Sequence, residues 1–170
     1  MSKDITSHSR LRAEMQAFRA GFNSLLLATV SPAGEPEASA VPMVMGDAGE
    51  FYIYVSALSR HTSNLGSSPQ AGVLLIQEEQ SAPNAFARER LSYQCQATRV
   101  ARNSQHFNDI MQLFEQRFGT VMETLRNLPD FQLICLSPVR GTYVRGFAQA
   151  WRLSGPGLDD LQHLNPARDG

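Results

Sequence analysis

One stretch of the chain, residues 56–64, concentrates side chains that suit the binding of an anion. It contains hydroxyl groups, one guanidinium, one imidazole and one amide, directly after an apolar strand-like segment. The pattern predicts that a strand ends here and a short helix begins, with Ser59 as N-cap and Gly66 as C-cap. A helix N-terminus offers free N–H groups to a phosphate or carboxylate, and Arg60 adds a planar donor. The competing interpretation is a capped surface helix with a solvated arginine.

Two other stretches carry candidate binding residues. Arg88 and Arg90 are two positions apart, so they share a face if a strand has already begun; otherwise they are two solvated charges at a strand entrance. Residues 143–151 place Arg145 beside Gly146 inside a predicted strand. A glycine there indicates a bulge or the close approach of a ligand or second chain, and the competing interpretation is a barrel corner.

Several classes of site are not indicated by the sequence. The histidines, which are His8, His61, His106 and His163, show no pair at the spacing of a metal site. Neither cysteine belongs to a CxxC pair, so a zinc site or a disulfide framework is not predicted. The chain also lacks the GxSxG, GxGxxG and Walker patterns of hydrolases, Rossmann proteins and P-loop enzymes.

Length and charge narrow the class of protein. The chain has 170 residues, which suits one domain, and 42% of them are hydrophobic. Its 15 basic and 16 acidic residues give a formal charge of −1, so the composition predicts no nucleic-acid or anionic membrane partner. The N-terminus lacks the apolar segment of a secretory signal and the apolar runs are too short to cross a bilayer, so we expect a cytoplasmic protein.

The order of elements predicts a mainly β architecture that must position these residues. A helix is predicted over 10–19, and a second begins after Ser104, with apolar residues at helical spacing. Strands are predicted over 24–30, 37–45, 51–55, 71–76, 91–100, 131–136 and 142–153, the last two joined by a turn at 138–141. Short connections favour antiparallel pairing. We therefore expect an α+β fold with a six- to seven-stranded antiparallel barrel over 1–155, helical insertions, and a C-terminal tail over 156–170.

The order of short motifs resembles a known family. Its elements are 25–30, Val41-Pro42, 51–53, Ser56-x-Leu58-x-x-His61-Thr62-x-Asn64-Leu65, Pro69-x-x-x-Val73, Phe86-Ala87-Arg88-x-Arg90-Leu91, Arg117-Phe118-Gly119, Asp130-Phe131, Gly146-Phe147-x-x-Ala150 and His163-Leu164-Asn165. Together they resemble the FMN-binding split barrel of pyridoxamine 5′-phosphate oxidase-like proteins, and within that superfamily the haem-utilisation proteins of the HutZ/HugZ type. The resemblance implies a homodimer with a ligand cleft built by both protomers.

The resemblance also implies roles for individual residues. In flavin-binding relatives the strand-end stretch holds the FMN phosphate, which implies cofactor-binding roles here for Ser56, Ser59, Arg60, His61, Thr62 and Asn64. Arg88, Arg90 and Arg145 are further cofactor-binding candidates, the first two for haem propionates. Asp130 resembles an aspartate that lies near the iron-ligating histidine of the other protomer. The expected histidine position in the tail is occupied by Arg168, which leaves His163 as the tail candidate for the haem iron.

Three functions follow from the resemblance. The first is a haem-binding haem-utilisation protein, with haem cleavage by an external reductant left open. The second is an FMN-dependent oxidoreductase of unknown substrate, and the third is a carrier of haem or flavin without catalysis. The first interpretation is favoured, with FMN or haem as the cofactor.

Overall fold

Eight antiparallel strands form one sheet in the computed structural model, which describes residues 2–164 and the side chains of 8–164. The strands are β1 (Ser24–Val30), β2 (Pro36–Met45), β3 (Phe51–Ser56), β4 (Gln70–Ile76), β5 (Arg90–Arg99), β6 (Phe131–Gly146), β7 (Gln149–Ser154) and β8 (Asp160–His163). Their order is β3-β2-β1-β4-β5-β6-β7-β8, and β3 also pairs with β6. The first six strands therefore close into a barrel, and β7 and β8 extend the sheet beyond β6.

The helices are inserted between the strands, as predicted for a split barrel with helical additions. They are α1 (Ser2–Ala20), α2 (Arg60–Ser67), α3 (Gln105–Phe118) and α4 (Val121–Leu125). The mainly β barrel is thus confirmed, with eight strands where six or seven were expected. The additional strand, β8, lies in the segment that was predicted as a tail. No helix among the described residues is both long and apolar enough to cross a membrane.

The turn predicted at 138–141 is wrong. Strand β6 runs through Pro138, which lies opposite Cys95 where the pairing with β5 shifts register. Proline fits there because a bulge leaves one backbone N–H without a ladder partner. The chain turns after Gly146 instead, and Ala148 has a φ of 59° in that turn. The segment predicted as one strand over 142–153 is consequently divided between β6 and β7.

Alternation along each strand fills the barrel. In β1 the side chains of Leu25, Leu27 and Thr29 are buried, whereas those of Leu26 and Val30 remain 44% and 42% exposed on the outer face. The interior core contains Met43, Phe51, Ile53, Leu75, Leu91, Leu136 and Tyr143 among others. Burial of these apolar side chains is the main stabilising contribution to the barrel.

A second core covers the outer face of β3. Helix α3 begins where the Ser104 hydroxyl accepts a hydrogen bond from the Phe107 N–H at 3.0 Å, so the predicted N-cap is confirmed. The buried face of the helix, including Phe114, packs against Tyr52 and Tyr54 of β3. Strand β3 is therefore buried on both faces, which explains its nearly continuous apolar sequence.

Helix α1 packs against the segment that leads into β8. Arg19 forms an ion pair with Asp159 (3.1 Å) and donates to the carbonyl oxygen of Gly157 (3.3 Å). Gln16 donates to the same carboxylate at 2.8 Å. These bonds hold the connection between β7 and β8 against the first helix.

Candidate functional site

The strand-end stretch begins with a contact between two of the predicted site residues. Ser56 donates from its hydroxyl to Oδ2 of Asp130 at 2.5 Å and accepts from the Leu58 N–H at 3.1 Å. The last pair of the β3–β6 ladder, Ser56 with Phe131, places Asp130 beside Ser56 because Asp130 directly precedes β6. The structure thus brings Asp130 to the same end of the barrel as residues 56–64.

Two residues of the stretch are directed into the protein. Thr62 donates from its hydroxyl to the carbonyl oxygen of Ser56 at 2.7 Å. Asn64 donates from Nδ2 to the Thr29 hydroxyl (3.0 Å) and to Oε2 of Glu37 (3.2 Å). Both side chains are buried. The Thr62 bond holds α2 to the end of β3, and the Asn64 bonds hold it to β1 and β2.

The start of α2 is more open. Ser59 is the N-cap residue, as predicted, but its hydroxyl makes no capping bond. Arg60 is exposed and has no hydrogen bond or ion pair within the described part of the chain. The helix continues through Gly66 to Ser67 and its C-cap is Ser68, so the C-cap predicted at Gly66 is wrong by two residues. The Ser59 hydroxyl and the Arg60 guanidinium are therefore available to a ligand.

His61 follows Arg60 in α2 and is held against β2. Its Nδ1 is 3.2 Å from the Ser39 hydroxyl. Burial lowers the pKa of His61 below its usual value, and the charge of Glu37 opposes that effect. The ring is therefore neutral at pH 7, and its buried Nε2 has no hydrogen-bond partner among residues 8–164.

The arginine candidates lie at the opposite end of the barrel. Arg88 precedes β5 and donates from Nε and Nη2 to the carbonyl oxygen of Gln77 at 2.8 and 2.5 Å. Arg90 donates to the Arg88 carbonyl oxygen at 3.0 Å, and Arg145 forms an ion pair with Glu14 at 3.2 Å. The pairing of β6 with β7 shifts register between Val144 and Gly146, which agrees with the bulge that was one of the alternatives for this glycine.

His163 shares this end of the sheet with the arginines. The pairings of Leu91 with Tyr143, Tyr143 with Trp151 and Trp151 with His163 form one cross-strand row, next to the row of Arg90. The His163 ring meets the Trp151 ring edge to face, with centroids 5.5 Å apart. Arg168 lies outside the described residues.

A single chain does not bring the two groups of candidates together. Ser56 pairs with the first residue of β6, whereas Arg90 pairs with Val144 near its other end. The strand has 16 residues, which at about 3.3 Å per residue separates its ends by up to roughly 50 Å. We refer below to the strand-end group, made of residues 56–64 with Asp130, and to the arginine group, made of Arg88, Arg90, Arg145 and His163.

Sequence reasoning missed the residues that support the strand-end group. Ser39, Glu37 and Thr29 bond to α2 from strands β1 and β2, at separations of 22 to 35 residues. A local pattern carries no signal for such contacts because they depend on how the barrel closes. Within the described part of the chain, no cluster of three or more His, Cys, Asp or Glu side chains is arranged to hold a metal ion.

Comparison with known proteins confirms the resemblance seen in the motifs. The family described as pyridoxamine 5′-phosphate oxidase matches residues 11–145. The chain is 37% identical over 155 residues to the haem oxygenase HutZ of Vibrio cholerae, covering 91% of this chain and 88% of HutZ. The crystal structure of HutZ, called there a haem storage protein, aligns with a TM-score of 0.70 at 34% identity over 74% of this chain and 88% of that one. ChuZ of Campylobacter jejuni aligns with a TM-score of 0.83 at 30% identity, covering 93% of this chain and 65% of ChuZ.

Proposed function

Because the chain belongs to the pyridoxamine 5′-phosphate oxidase family and is similar to HutZ over most of its length, we propose that it is a haem-binding haem-utilisation protein. We place the haem in a cleft between the two protomers of a homodimer. The observation that carries this proposal is the separation of the strand-end group from the arginine group along β6. Two copies related by a two-fold axis, with their β6 strands antiparallel, would bring the strand-end group of one protomer to the arginine group of the other.

The residues of the arginine group fit a haem by their chemistry. A haem pocket needs one axial donor, cations for the propionates and apolar walls. His163 supplies an imidazole, Arg88, Arg90 and Arg145 supply positive charge, and Trp151 supplies an apolar surface next to the imidazole. In the proposed cleft, Asp130 of the partner subunit would accept a hydrogen bond from the ring N–H of His163 and so orient the imidazole. When bound, the haem iron would supply the redox chemistry.

The outer face of the barrel supports the homodimer. Leu26 and Val30 of β1 are exposed there, and Leu74 of β4 pairs directly with Leu26. The side chains of Leu26 and Val30 remain exposed, whereas apolar side chains of α3 cover the outer face of β3. Burial of the face against a second copy removes apolar surface from water and stabilises the dimer.

Haem titration tests the ligand. We expect the wild type to bind haem with a Soret band, and His163→Ala to weaken binding at least tenfold. His8→Ala removes another exposed histidine and serves as the matched control. Arg168→His, which places an imidazole at the position expected from the family, should tighten binding at least tenfold and give a six-coordinate spectrum. A wild type that does not bind haem refutes the proposal, and an unchanged His163→Ala refutes the role of His163.

Haem turnover separates an enzyme from a carrier. The loaded protein is mixed with ascorbate in the presence of oxygen, and the Soret band is followed together with the appearance of linear tetrapyrrole. Loss of the band with product formation supports haem cleavage, and a stable band supports storage or transport.

An FMN-dependent oxidoreductase is the second candidate function. It is favoured by the unpartnered Ser59 hydroxyl and Arg60 guanidinium at the start of α2, which suit a phosphate. Loss of one charge-assisted hydrogen bond in Arg60→Ala should weaken FMN binding by about 1.5–3 kcal/mol. Arg99→Ala, which removes an exposed arginine from the end of β5, is the control. If both variants bind FMN like the wild type, Arg60 does not hold the phosphate and this candidate function loses its support.

A further inference from the structure

Helix α1 carries a carboxylate to the arginine group. Oε2 of Glu14 lies 3.2 Å from Nη2 of Arg145, and Oε1 of the same side chain lies 3.0 Å from Nε of Arg10. Arg88 and Arg90, by contrast, donate to backbone carbonyl oxygens at 3.0 Å or less, and those oxygens carry no net charge. Arg145 is thus the cation of the group that is closely paired with a carboxylate.

The packing of α1 on the sheet keeps Glu14 in this place. Met15, the next residue, is fully buried, and the Phe18 ring lies 6.5 Å from the Tyr143 ring, measured between centroids. Glu14 and Phe18 are four residues apart and therefore lie on the same side of the helix. Tyr143 precedes Arg145 by two residues in β6. The docked helix consequently holds the Glu14 carboxylate beside the Arg145 guanidinium.

A ligand can reach this ion pair. The Glu14 side chain is 30% exposed and the Arg145 side chain is 47% exposed. The carboxylate of Glu89 is also nearby in the fold, but it accepts a hydrogen bond from the buried Tyr143 hydroxyl. A ligand carboxylate that approaches Arg145 therefore meets the carboxylate of Glu14 on the same guanidinium.

We propose that Glu14 competes with the carboxylates of the ligand for Arg145 and so weakens haem binding; this inference rests on the proposed function. Glu14 offers Arg145 the same chemical group as a haem propionate, and a guanidinium binds either one through paired N–H···O bonds. An incoming propionate must displace Glu14 or lie beside it, and like charges held on one guanidinium repel each other. Both arrangements cost binding free energy. A ligand without carboxylates does not compete with Glu14.

The competition has a consequence for the release of haem. Glu14 can return to Arg145 as the propionate leaves, so the cation is not left unpaired when the ligand dissociates. The pair thereby favours exchange of haem over permanent retention.

Haem titration of Glu14→Gln in the full-length protein tests the inference. Glutamine keeps the size of the side chain and removes its charge. We expect this variant to bind haem about three- to fivefold more tightly than the wild type, as for loss of a partly exposed ion pair. Haem dimethyl ester, in which both propionates are esterified, should bind equally to the two proteins. Asp160→Asn removes a different carboxylate that pairs with α1, through Arg12, and is the matched control, with wild-type affinity expected.

A double-mutant cycle separates the pair from a general change in surface charge. In the Arg145→Gln background, Glu14→Gln should leave haem affinity unchanged because there is no guanidinium to release. The inference alone is overturned if Glu14→Gln binds haem no more tightly than the wild type. The same gain with the dimethyl ester, in Asp160→Asn or in the Arg145→Gln background also overturns it. A wild type that does not bind haem overturns the proposed function, and the inference with it.

NMR of the wild type provides an independent test if Glu14→Gln is poorly folded. The probe is zinc protoporphyrin, a diamagnetic analogue of haem with the same two propionates. It should shift the side-chain Nε–H signal of Arg145, whereas its dimethyl ester should not. An Arg145 signal that stays in place when zinc protoporphyrin binds, or that shifts equally with the ester, overturns the inference.

Discussion

The ion pair between α1 and the β7–β8 connection allows a sharp test with two adjacent residues. Asp159 accepts from Arg19, whose side chain is 9% exposed, and also from Gln16 at 2.8 Å. Asp160 forms an ion pair with Arg12, but the Arg12 side chain is 48% exposed and the Asp160 side chain is 56% exposed. Asp159→Asn removes the negative charge beside the buried Arg19 guanidinium. It also replaces one accepting oxygen by an amide NH₂ group, which then faces the N–H donor of Gln16 or Arg19. Asp160→Asn removes the same charge in solvent.

We expect Asp159→Asn to lower the free energy of unfolding by about 2–3 kcal/mol, as for loss of a charge-assisted bond to a buried partner. Asp160→Asn should cost less than about 1 kcal/mol because water screens the exposed pair. Urea unfolding at one fixed protein concentration measures both, and the first variant should also lower Tm by roughly 4–12 °C. Equal losses in the two variants, or no loss in Asp159→Asn, would refute the assignment of the buried pair as the clamp on this connection.

Three further perturbations have expected outcomes. Ser104→Ala should destabilise the protein by about 1 kcal/mol in urea unfolding because it removes the bond to the N–H of Phe107, whereas Ser59→Ala, which removes no capping bond, should have less than half that effect. Burial raises the pKa of Tyr93 to about 12, so the folded state holds this proton more tightly than the unfolded state. This contribution to the free energy of unfolding is complete below pH 10 and is lost as the pH rises from 10 to 12. The free energy of unfolding of Tyr93→Phe should therefore fall by about 2 kcal/mol less than that of the wild type over this pH range. The same pH dependence in both proteins would contradict the reasoning. Leu26→Asp should leave the circular dichroism spectrum unchanged but produce monomers in sedimentation equilibrium at micromolar concentration, and an intact dimer would exclude the outer β1 face as the interface.

Much of the local structure could be predicted from the chain because it depends on near neighbours. The apolar segment 24–30 and the helical spacing of apolar residues after Ser104 each identified an element. Family motifs likewise indicated the split barrel. The turn expected at Pro138 failed because a proline is tolerated at a bulge, and only pairing with Cys95 of β5 creates that bulge.

The sequence by itself determined which residue types the chain offers for binding: a hydroxyl-rich strand end with Arg60, several arginines and a histidine at 163. Only the tertiary structure decided how they are grouped. It joined Ser56 to Asp130, directed Asn64 inward to Thr29, and separated both from Arg90 by most of the length of β6. Such contacts depend on strand order and register, which are set by closing the barrel over its core rather than by the residues adjacent in sequence.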